Sequence, residues 1–193
     1  MPQDSTGTDR VRIDVPEEFE SERLLIRAPR PGDGLELNAA IRESFDDLTQ
    51  WMPWADHVPE VAETEANVCA AYESYKARTD LRLHLFLKIT GVLIGSSGLH
   101  RIDWDVPKFE IGYWVRSSYA GQGYITEAVN AIAEFAFGQL GARRVSICMD
   151  SRNTRSRMVA ERAGFEYEGT LRNDVREPDG RLRDTLVYSK IRP

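Results

Sequence analysis

The part of the chain that most constrains its fold lies between residues 109 and 140. An apolar strand pattern, a glycine loop and an amphipathic helix pattern follow one another there. Gly121 and Gly123 flank Gln122, and apolar residues then recur at helical spacing from Tyr124 to Leu140. A helix that begins directly after such a loop presents free backbone N–H groups, and these groups together with the helix dipole favour an anion. The pattern therefore predicts either a site for a phosphate or a similar anion, or a simple tight turn between the strand and the helix.

The residue sequence of the loop excludes two common nucleotide-binding motifs. A P-loop needs Gly-Lys-Ser/Thr before its helix, whereas Gly123 is followed here by Tyr124 and Ile125. A dinucleotide-binding loop needs a third glycine, but position 126 is a threonine, and antiparallel strand patterns precede the loop. An anion bound at this loop would therefore belong to some other kind of ligand.

Around this junction the periodicities predict a mixed α/β fold with the order β-α-α-β-β-β-α-β-α-β-β. We expect residues 1–20 to form a loose leader and residues 21–193 to form a single domain. The predicted helices cover 33–51, 61–78, 124–140 and 153–163. The predicted strands are a short one at 24–26, followed by 82–89, 92–102, 109–115, 143–150, 165–171 and 182–190.

The charge of the chain is unevenly distributed. Its 193 residues include 31 acidic and 25 basic side chains, a formal net charge of −6, which argues against a nucleic-acid partner. Residues 1–140 carry a net charge of −10 and residues 141–193 one of +4. This asymmetry predicts two ligands of different charge, and the acidic residues of segment 1–140 would attract a basic partner.

Other features of the sequence bear on the location of the protein and on metal binding. No apolar run reaches the roughly 18 residues that a membrane span needs. The N-terminal residues lack a secretory pattern, which predicts a cytoplasmic protein. Cys69 and Cys148 are expected to be reduced thiols, and the absence of a Cys or His cluster predicts that no metal is bound.

Six segments in this order resemble the GNAT acetyltransferase superfamily and, within it, the RimJ/RimL-like branch of ribosomal-protein N-terminal acetyltransferases. The resemblance runs from about residue 22 to residue 188. The segments are ERLLIR at 22–27, WMPW at 51–54, EIGYWV at 110–115, GQGYITEA at 121–128, NTRS at 153–156 and GFEYEG at 164–169.

The resemblance implies the GNAT fold and acetyl-CoA as a co-substrate. The strand before the loop would hold the pantetheine through the backbone of Tyr113, Trp114 and Val115, and Asn153 would hold it from the next helix. The loop amides would bind the pyrophosphate, which implicates Ala120, Gly121, Gln122, Gly123, Ile125 and Thr126. Ala120 and Ile125 depart from the residues usual in the family, as does Ala160, which stands where many members carry a tyrosine acid.

Three residues are candidates for the chemistry. Glu110 is a carboxylate within an apolar strand, where burial would raise its pKa toward that of a working base. Asp174 is the second candidate base. The resemblance implies that Ser156 protonates or hydrogen-bonds the leaving thiolate. Trp51 and Trp54 either line the acceptor site or anchor the loop between two helices.

These assignments predict transfer of an acetyl group to a primary amine by direct attack in a ternary complex. An α-amine of pKa about 8 is roughly 10% neutral at pH 7, so it needs less help from a base than a lysine does. The preferred acceptor is therefore a protein N terminus, such as that of a basic ribosomal protein. A small-amine or antibiotic acetyltransferase and a non-catalytic acyl-CoA-binding regulatory module are the alternatives. The resemblance also implies a homodimer, because similar proteins commonly form one.

Overall fold

The computed structural model describes residues 14–177 and 180–192, and one eight-stranded sheet runs through them in the order β1-β2-β3-β4-β5-β6-β8-β7. The strands are β1 Glu18–Glu20, β2 Leu24–Arg27, β3 Leu81–Leu87, β4 Leu93–Asp103, β5 Lys108–Val115, β6 Arg144–Asp150, β7 Glu166–Arg176 and β8 Leu182–Ile191. The helices are α1 Gly34–Glu43, α2 Phe45–Trp51, α3 Val61–Ala77, α4 Tyr124–Gly138 and α5 Thr154–Arg162. The predicted mixed α/β fold is confirmed.

Apolar side chains cover both faces of the sheet. Alternation along β3 sends Leu83 and Leu85 to the face packed by α4, and Phe86 to the face packed by α1 and α3. The larger cluster contains Ile132 of α4, which is fully buried, and the smaller one contains Leu37 of α1. The sheet is therefore the middle of three layers.

The first strand corrects the prediction of a leader over residues 1–20. Residues 1–13 of that leader lie outside the described residues, but Glu18–Glu20 forms β1 and pairs antiparallel with β2. The ring of Phe19 stacks on that of Phe135 of α4, with the ring centroids 4.4 Å apart. This short, polar strand is held by its pairing with β2 and by the contact of Phe19 with a distant helix, so local periodicity did not reveal it.

The helix predicted over 33–51 is two helices, because the chain changes direction at Ser44. The Ser44 N–H donates to both Ala40 O and Ile41 O, and its buried hydroxyl accepts a hydrogen bond of 2.9 Å from the Ser117 N–H. The apolar spacing continues across the break, which is why the sequence predicted one helix. The contact ties the α1–α2 corner to the chain just after β5.

The one parallel pair of the sheet sets up the site. β5 and β6 pair only from Lys108–Glu110 to Arg144–Ser146, although each strand continues further against its other neighbour. The two strands therefore separate beyond Glu110 and Ser146, and a cleft opens between them. Within the described residues no helix is both long and apolar enough to cross a lipid bilayer.

Candidate active site

The cleft between β5 and β6 exposes backbone of β5 that lacks a neighbouring strand on that side. Residues from Gly112 to Val115 pair with β4 but have no β6 partner among the described residues. Their outward N–H and C=O groups are free to bind an extended ligand as a neighbouring strand would. Tyr113, Trp114 and Val115, the predicted pantetheine contacts, lie on this edge.

The glycine loop lies at the open end of β5 and begins α4. Gly121 and Gly123 have positive φ angles of 75° and 81°, which favour glycine, and Gly123 is the N-cap of α4. No side chain of the described residues caps this helix, so its first N–H groups remain available. Ala120, Gly121, Gln122 and Gly123 are exposed. The N terminus of α4 can therefore receive a phosphate group.

An ion pair fastens the loop to β2, a connection that sequence reasoning missed. Arg23 donates through Nε to Glu127 Oε2 at 2.6 Å and through Nη1 to Gln122 O at 3.1 Å. Burial alone would raise the pKa of Glu127, but hydrogen bonds from Ser21 and Arg23 lower it. Because 104 residues separate Arg23 from Glu127, no local sequence pattern predicts the pair.

Two hydroxyl groups meet across the cleft. The Tyr113 hydroxyl lies 2.9 Å from Ser156 Oγ and donates to Ser156 O at 3.1 Å. Burial raises the pKa of Tyr113 to about 12, so the phenol keeps its proton near neutral pH. The side chain of Asn153 caps α5 by accepting from the Ser156 N–H at 3.0 Å. Ser156 therefore sits at the helix end that faces Tyr113.

The departures from the family pattern do not disturb this geometry. Ile125 turns its side chain into the core, while Thr126 is half-buried beside it. Ala160 is fully buried within the same core. An alanine carries no acid, and the hydroxyl groups that the structure places at the cleft are those of Tyr113 and Ser156.

A cavity of about 560 Å³ lies on the sheet face covered by α1 and α3, and it reaches β5 at Gly112, Tyr113 and Trp114. Trp54 forms part of its wall, with its ring 6.3 Å from that of Trp114. Trp51 is half-buried at the end of α2 and does not belong to the described lining. Of the two tryptophans, the structure brings Trp54 to the cavity.

The structure places the two predicted bases on β5 and β7. Glu110 lies where β5 and β6 separate, and its carboxylate is 3.5 Å from Arg101 Nη1. Asp174 lies on the exposed part of β7, where the register with β8 shifts. Neither carboxylate belongs to the described cavity lining.

Two histidine–carboxylate pairs at the cavity were not among the predicted site residues. His57 Nδ1 lies 2.7 Å from Asp56 Oδ1, a contact that raises the pKa of His57. His100 Nδ1 lies 2.7 Å from Asp80 Oδ2. Both imidazoles line the cavity. The sequence did not reveal the second pair, because Asp80 immediately precedes β3 and His100 lies on β4, so the two residues meet only in the folded sheet.

Comparisons with known proteins agree with this arrangement. The family model described as "Acetyltransferase (GNAT) domain" matches residues 23–166. The Bacillus subtilis (strain 168) protein named "Putative ribosomal N-acetyltransferase YdaF" is 32% identical over 173 residues, covering 89% of this chain and 93% of that protein. The Escherichia coli (strain K12) ribosomal-protein-serine acetyltransferase is 40% identical over 100 residues, covering 51% of this chain and 55% of that protein.

Solved structures share the fold. The microcin C7 self-immunity acetyltransferase MccE, in complex with acetyl-CoA and AMP, gives a TM-score of 0.83 at 23% identity and covers 94% of this chain and 99% of that one. RimL, a ribosomal-protein α-N-acetyltransferase in complex with coenzyme A, gives 0.82 at 22% identity, with coverage of 92% and 97%. With its family model, its relatives and its cleft and loop in agreement, the chain belongs to the GNAT family of acetyl-CoA-dependent N-acetyltransferases.

Proposed function

We propose that the protein transfers the acetyl group of acetyl-CoA to the α-amino group at the N terminus of another protein, of the ribosomal-protein type. The observation that carries this proposal is the cavity that meets β5 at Gly112–Trp114. It approaches the strand from the α1–α3 face, whereas the glycine loop begins α4 on the other face. Co-substrate and acceptor can therefore be bound together, as direct attack in a ternary complex requires.

The parts of the cleft match the parts of acetyl-CoA. The pyrophosphate would bind at the exposed loop 120–123 and the first N–H groups of α4, including those of Ile125 and Thr126. The pantetheine would lie along the β5 edge at 113–115 and beside Asn153. The Tyr113–Ser156 pair would then lie at the thiol end, where a hydroxyl group can return a proton to the departing thiolate.

The border of the cavity favours an amine carried by a basic segment. Asp56, Glu60 and Glu63, which we call the acidic rim, lie on the α2–α3 loop and the first turn of α3. Glu63 lines the cavity, and Asp56 and Glu60 adjoin the lining residues His57 and Pro59. A negative border attracts cationic partners and concentrates them near the site.

The names of the relatives point to the same class of acceptor. A ribosomal-protein-serine acetyltransferase and a protein named as a ribosomal N-acetyltransferase are among them. A ribosomal protein would be met in the cytoplasm, and both cysteines of this chain are free thiols, which suits a reducing compartment. Homodimerisation stays a prediction, to be checked by light scattering of the purified protein.

Acceptor selectivity tests the proposal directly. Thiol release from acetyl-CoA is followed with basic peptides whose α-amine is free, with the same peptides blocked at the N terminus but containing lysine, and with small primary amines. We expect turnover with the free peptides alone, and mass spectrometry to place one acetyl group on the first residue. Turnover of small amines with no turnover of peptides would contradict the proposal and favour a small-amine acetyltransferase.

A further inference from the structure

His100 is held in one orientation by a carboxylate from another part of the sheet. Its Nδ1 lies 2.7 Å from Oδ2 of Asp80, the residue immediately before β3. A carboxylate in this position accepts the Nδ1 proton of a neutral imidazole and leaves the lone pair on Nε2. In residues 14–177 and 180–192, no group hydrogen-bonds Nε2. The nitrogen is therefore free to accept a proton from elsewhere.

That free edge of the ring borders β5 at a glycine. A Cβ added to Gly112 would lie 3.2 Å from Cδ2 and 3.4 Å from Nε2 of His100, which is closer than ordinary side-chain contacts. The absence of a side chain at Gly112 thus makes room for the imidazole beside the strand. Both residues line the acceptor cavity. His100 therefore lies where the cavity meets the strand on which the acetyl group is expected.

Glu110 is placed differently, although its Cα pairs with that of His100 across β4 and β5. Its carboxylate faces Arg101 at 3.5 Å and also Cys148 of β6. Burial and then the charge of Glu110 raise the pKa of Cys148 to about 12. The carboxylate therefore lies on the same face of the sheet as His100, but it is directed toward β6 and is not among the residues that line the cavity.

We propose that His100, oriented by Asp80, is the general base of the acetyl transfer. The acceptor nitrogen attacks the thioester carbonyl carbon and the N–C bond forms. Nε2 of His100 takes one proton from that nitrogen, and the C–S bond breaks. The thiolate is released and takes a proton from the Tyr113–Ser156 pair, which regains one from water. His100 gives its proton to the solvent, so that the products are an amide and free CoA and the enzyme returns to its starting state.

Several charged groups lie on the elements packed around the imidazole. They come from the segment before β3, from β3, β4 and β5, and from the opposite wall of the cavity. They are Asp80, Arg82, Arg101, Glu110, His57 and Glu63.

The inference depends on acetyl transfer but not on the identity of the acceptor. Activity is therefore measured with both a free N-terminal peptide and a small α-amino amide. We expect His100→Gln to lower kcat by about 100-fold or more, as loss of a general base does, with unchanged acetyl-CoA affinity by calorimetry. His100→Ala should regain activity when free imidazole is added.

The pH profile of kcat gives a readout that a structural role would not move. In the wild type, kcat should fall on the acidic side as the imidazole is protonated, and His100→Gln should lose this dependence. Asp80→Asn should lower kcat less, because the imidazole remains but its orientation is no longer fixed. Glu166→Gln, an exchange of an exposed carboxylate on β7, serves as the matched control and should keep wild-type kinetics.

Several results would overturn the proposal. One is a His100→Gln protein whose kcat stays within a few-fold of the wild-type value and still falls at acidic pH. Another is that this fall of kcat at acidic pH disappears in Glu110→Gln and in none of the other variants. If His100→Gln does not fold, His100→Asn and Asp80→Asn are judged by the same pH profile. Turnover of the small amide but not of the peptide would contradict the proposal that a protein N terminus is the acceptor. The role of His100 could still be tested with the small amide.

Discussion

At the scale of single residues, the hydroxyl groups of Tyr113 and Ser156 act as one hydrogen-bonded pair. We expect Ser156→Ala and Tyr113→Phe each to lower kcat by about 10-fold or more, because a positioned proton donor contributes at least that much. The double variant should be little slower than either single one, since both changes break the same relay.

Steady-state kinetics on the three variants provide the measurement, and thermal unfolding provides the control. Tyr113→Phe should cost only about 1 kcal/mol of stability, the usual contribution of one hydrogen bond. Fully additive losses in kcat, or a Tyr113→Phe protein with wild-type kcat, would contradict the idea of a shared relay.

Asp33 is the residue that anchors α1 to the sheet. It accepts two hydrogen bonds from Arg27, at 2.7 and 2.8 Å, and it contacts His84 at 3.1 Å. Burial alone would raise the pKa of Asp33, but the hydrogen bonds from Arg27, His84 and the Arg30 N–H lower it far below its ordinary range. We expect Asp33→Asn to destabilise the protein by about 3–5 kcal/mol near neutral pH, because a buried cation loses its partner.

The dependence on pH follows from the direction of that shift. A carboxylate whose pKa is lower in the folded state stabilises fully above its unfolded value of about 3.9, and it loses this contribution as the pH falls further. The difference between wild type and Asp33→Asn in urea unfolding should therefore shrink in strong acid. Asp46→Asn, on exposed α2, is the control and should change stability little at either pH. An equal effect of both changes would contradict this account.

The roles of single residues were the hardest feature to predict from the sequence. The motif at 110–115 led to Glu110 because a carboxylate in an apolar strand is visible in the sequence. The sequence does not show that its carboxylate contacts Arg101 and Cys148, or that His100 lines the cavity on the same face of the sheet. These orientations depend on the β4–β5 register and on strand separation, which are properties of the folded sheet.

At the scale of elements, the start of α4 depends on glycine backbone geometry. Gly123 is the N-cap with φ of 81°, whereas Gly138 is the last residue of the same helix, outside the left-handed region, with open space around it. We expect Gly123→Ala to cost about 1–2 kcal/mol and to weaken acetyl-CoA binding, because alanine strains the left-handed conformation. Gly138→Ala should instead add about 0.5–1 kcal/mol and leave binding unchanged.

Chemical unfolding and calorimetry with acetyl-CoA check both changes. An unaltered acetyl-CoA affinity in a folded Gly123→Ala protein would mean that the N terminus of α4 does not hold the phosphates. Loss of binding in Gly138→Ala would show that the effect is not specific to the loop.

Most elements could be predicted, because their patterns are local. The β4–β5 hairpin, the helix that begins at Tyr124 and the final two strands follow from alternation, helical spacing and turn residues. The strand at Glu18–Glu20 and the break at Ser44 were missed, since each depends on a partner far along the chain, Phe135 and Ser117 respectively.

At the scale of the whole molecule, the net charge of −10 over residues 1–140 includes the acidic rim of the cavity. We expect KM for a basic N-terminal peptide to rise with ionic strength, because salt screens attraction between exposed charges beyond about 8–10 Å. A neutral peptide with the same first residue is the control and should show a weaker dependence. Asp56→Asn with Glu60→Gln should reduce the difference between the two peptides. Equal salt sensitivity of both peptides would mean that the acidic rim does not steer the acceptor.

The central claim is that acetyl-CoA lies between β5 and β6 while the acceptor enters through the cavity on the α1–α3 face. A crystal structure of the complex with CoA tests it most directly. We predict the pyrophosphate on the loop at Gly121–Gly123, the pantetheine along β5, and the sulfur within hydrogen-bond reach of the Ser156 hydroxyl. CoA bound outside the cleft, or a sulfur that lies away from both Ser156 and the cavity, would contradict the account.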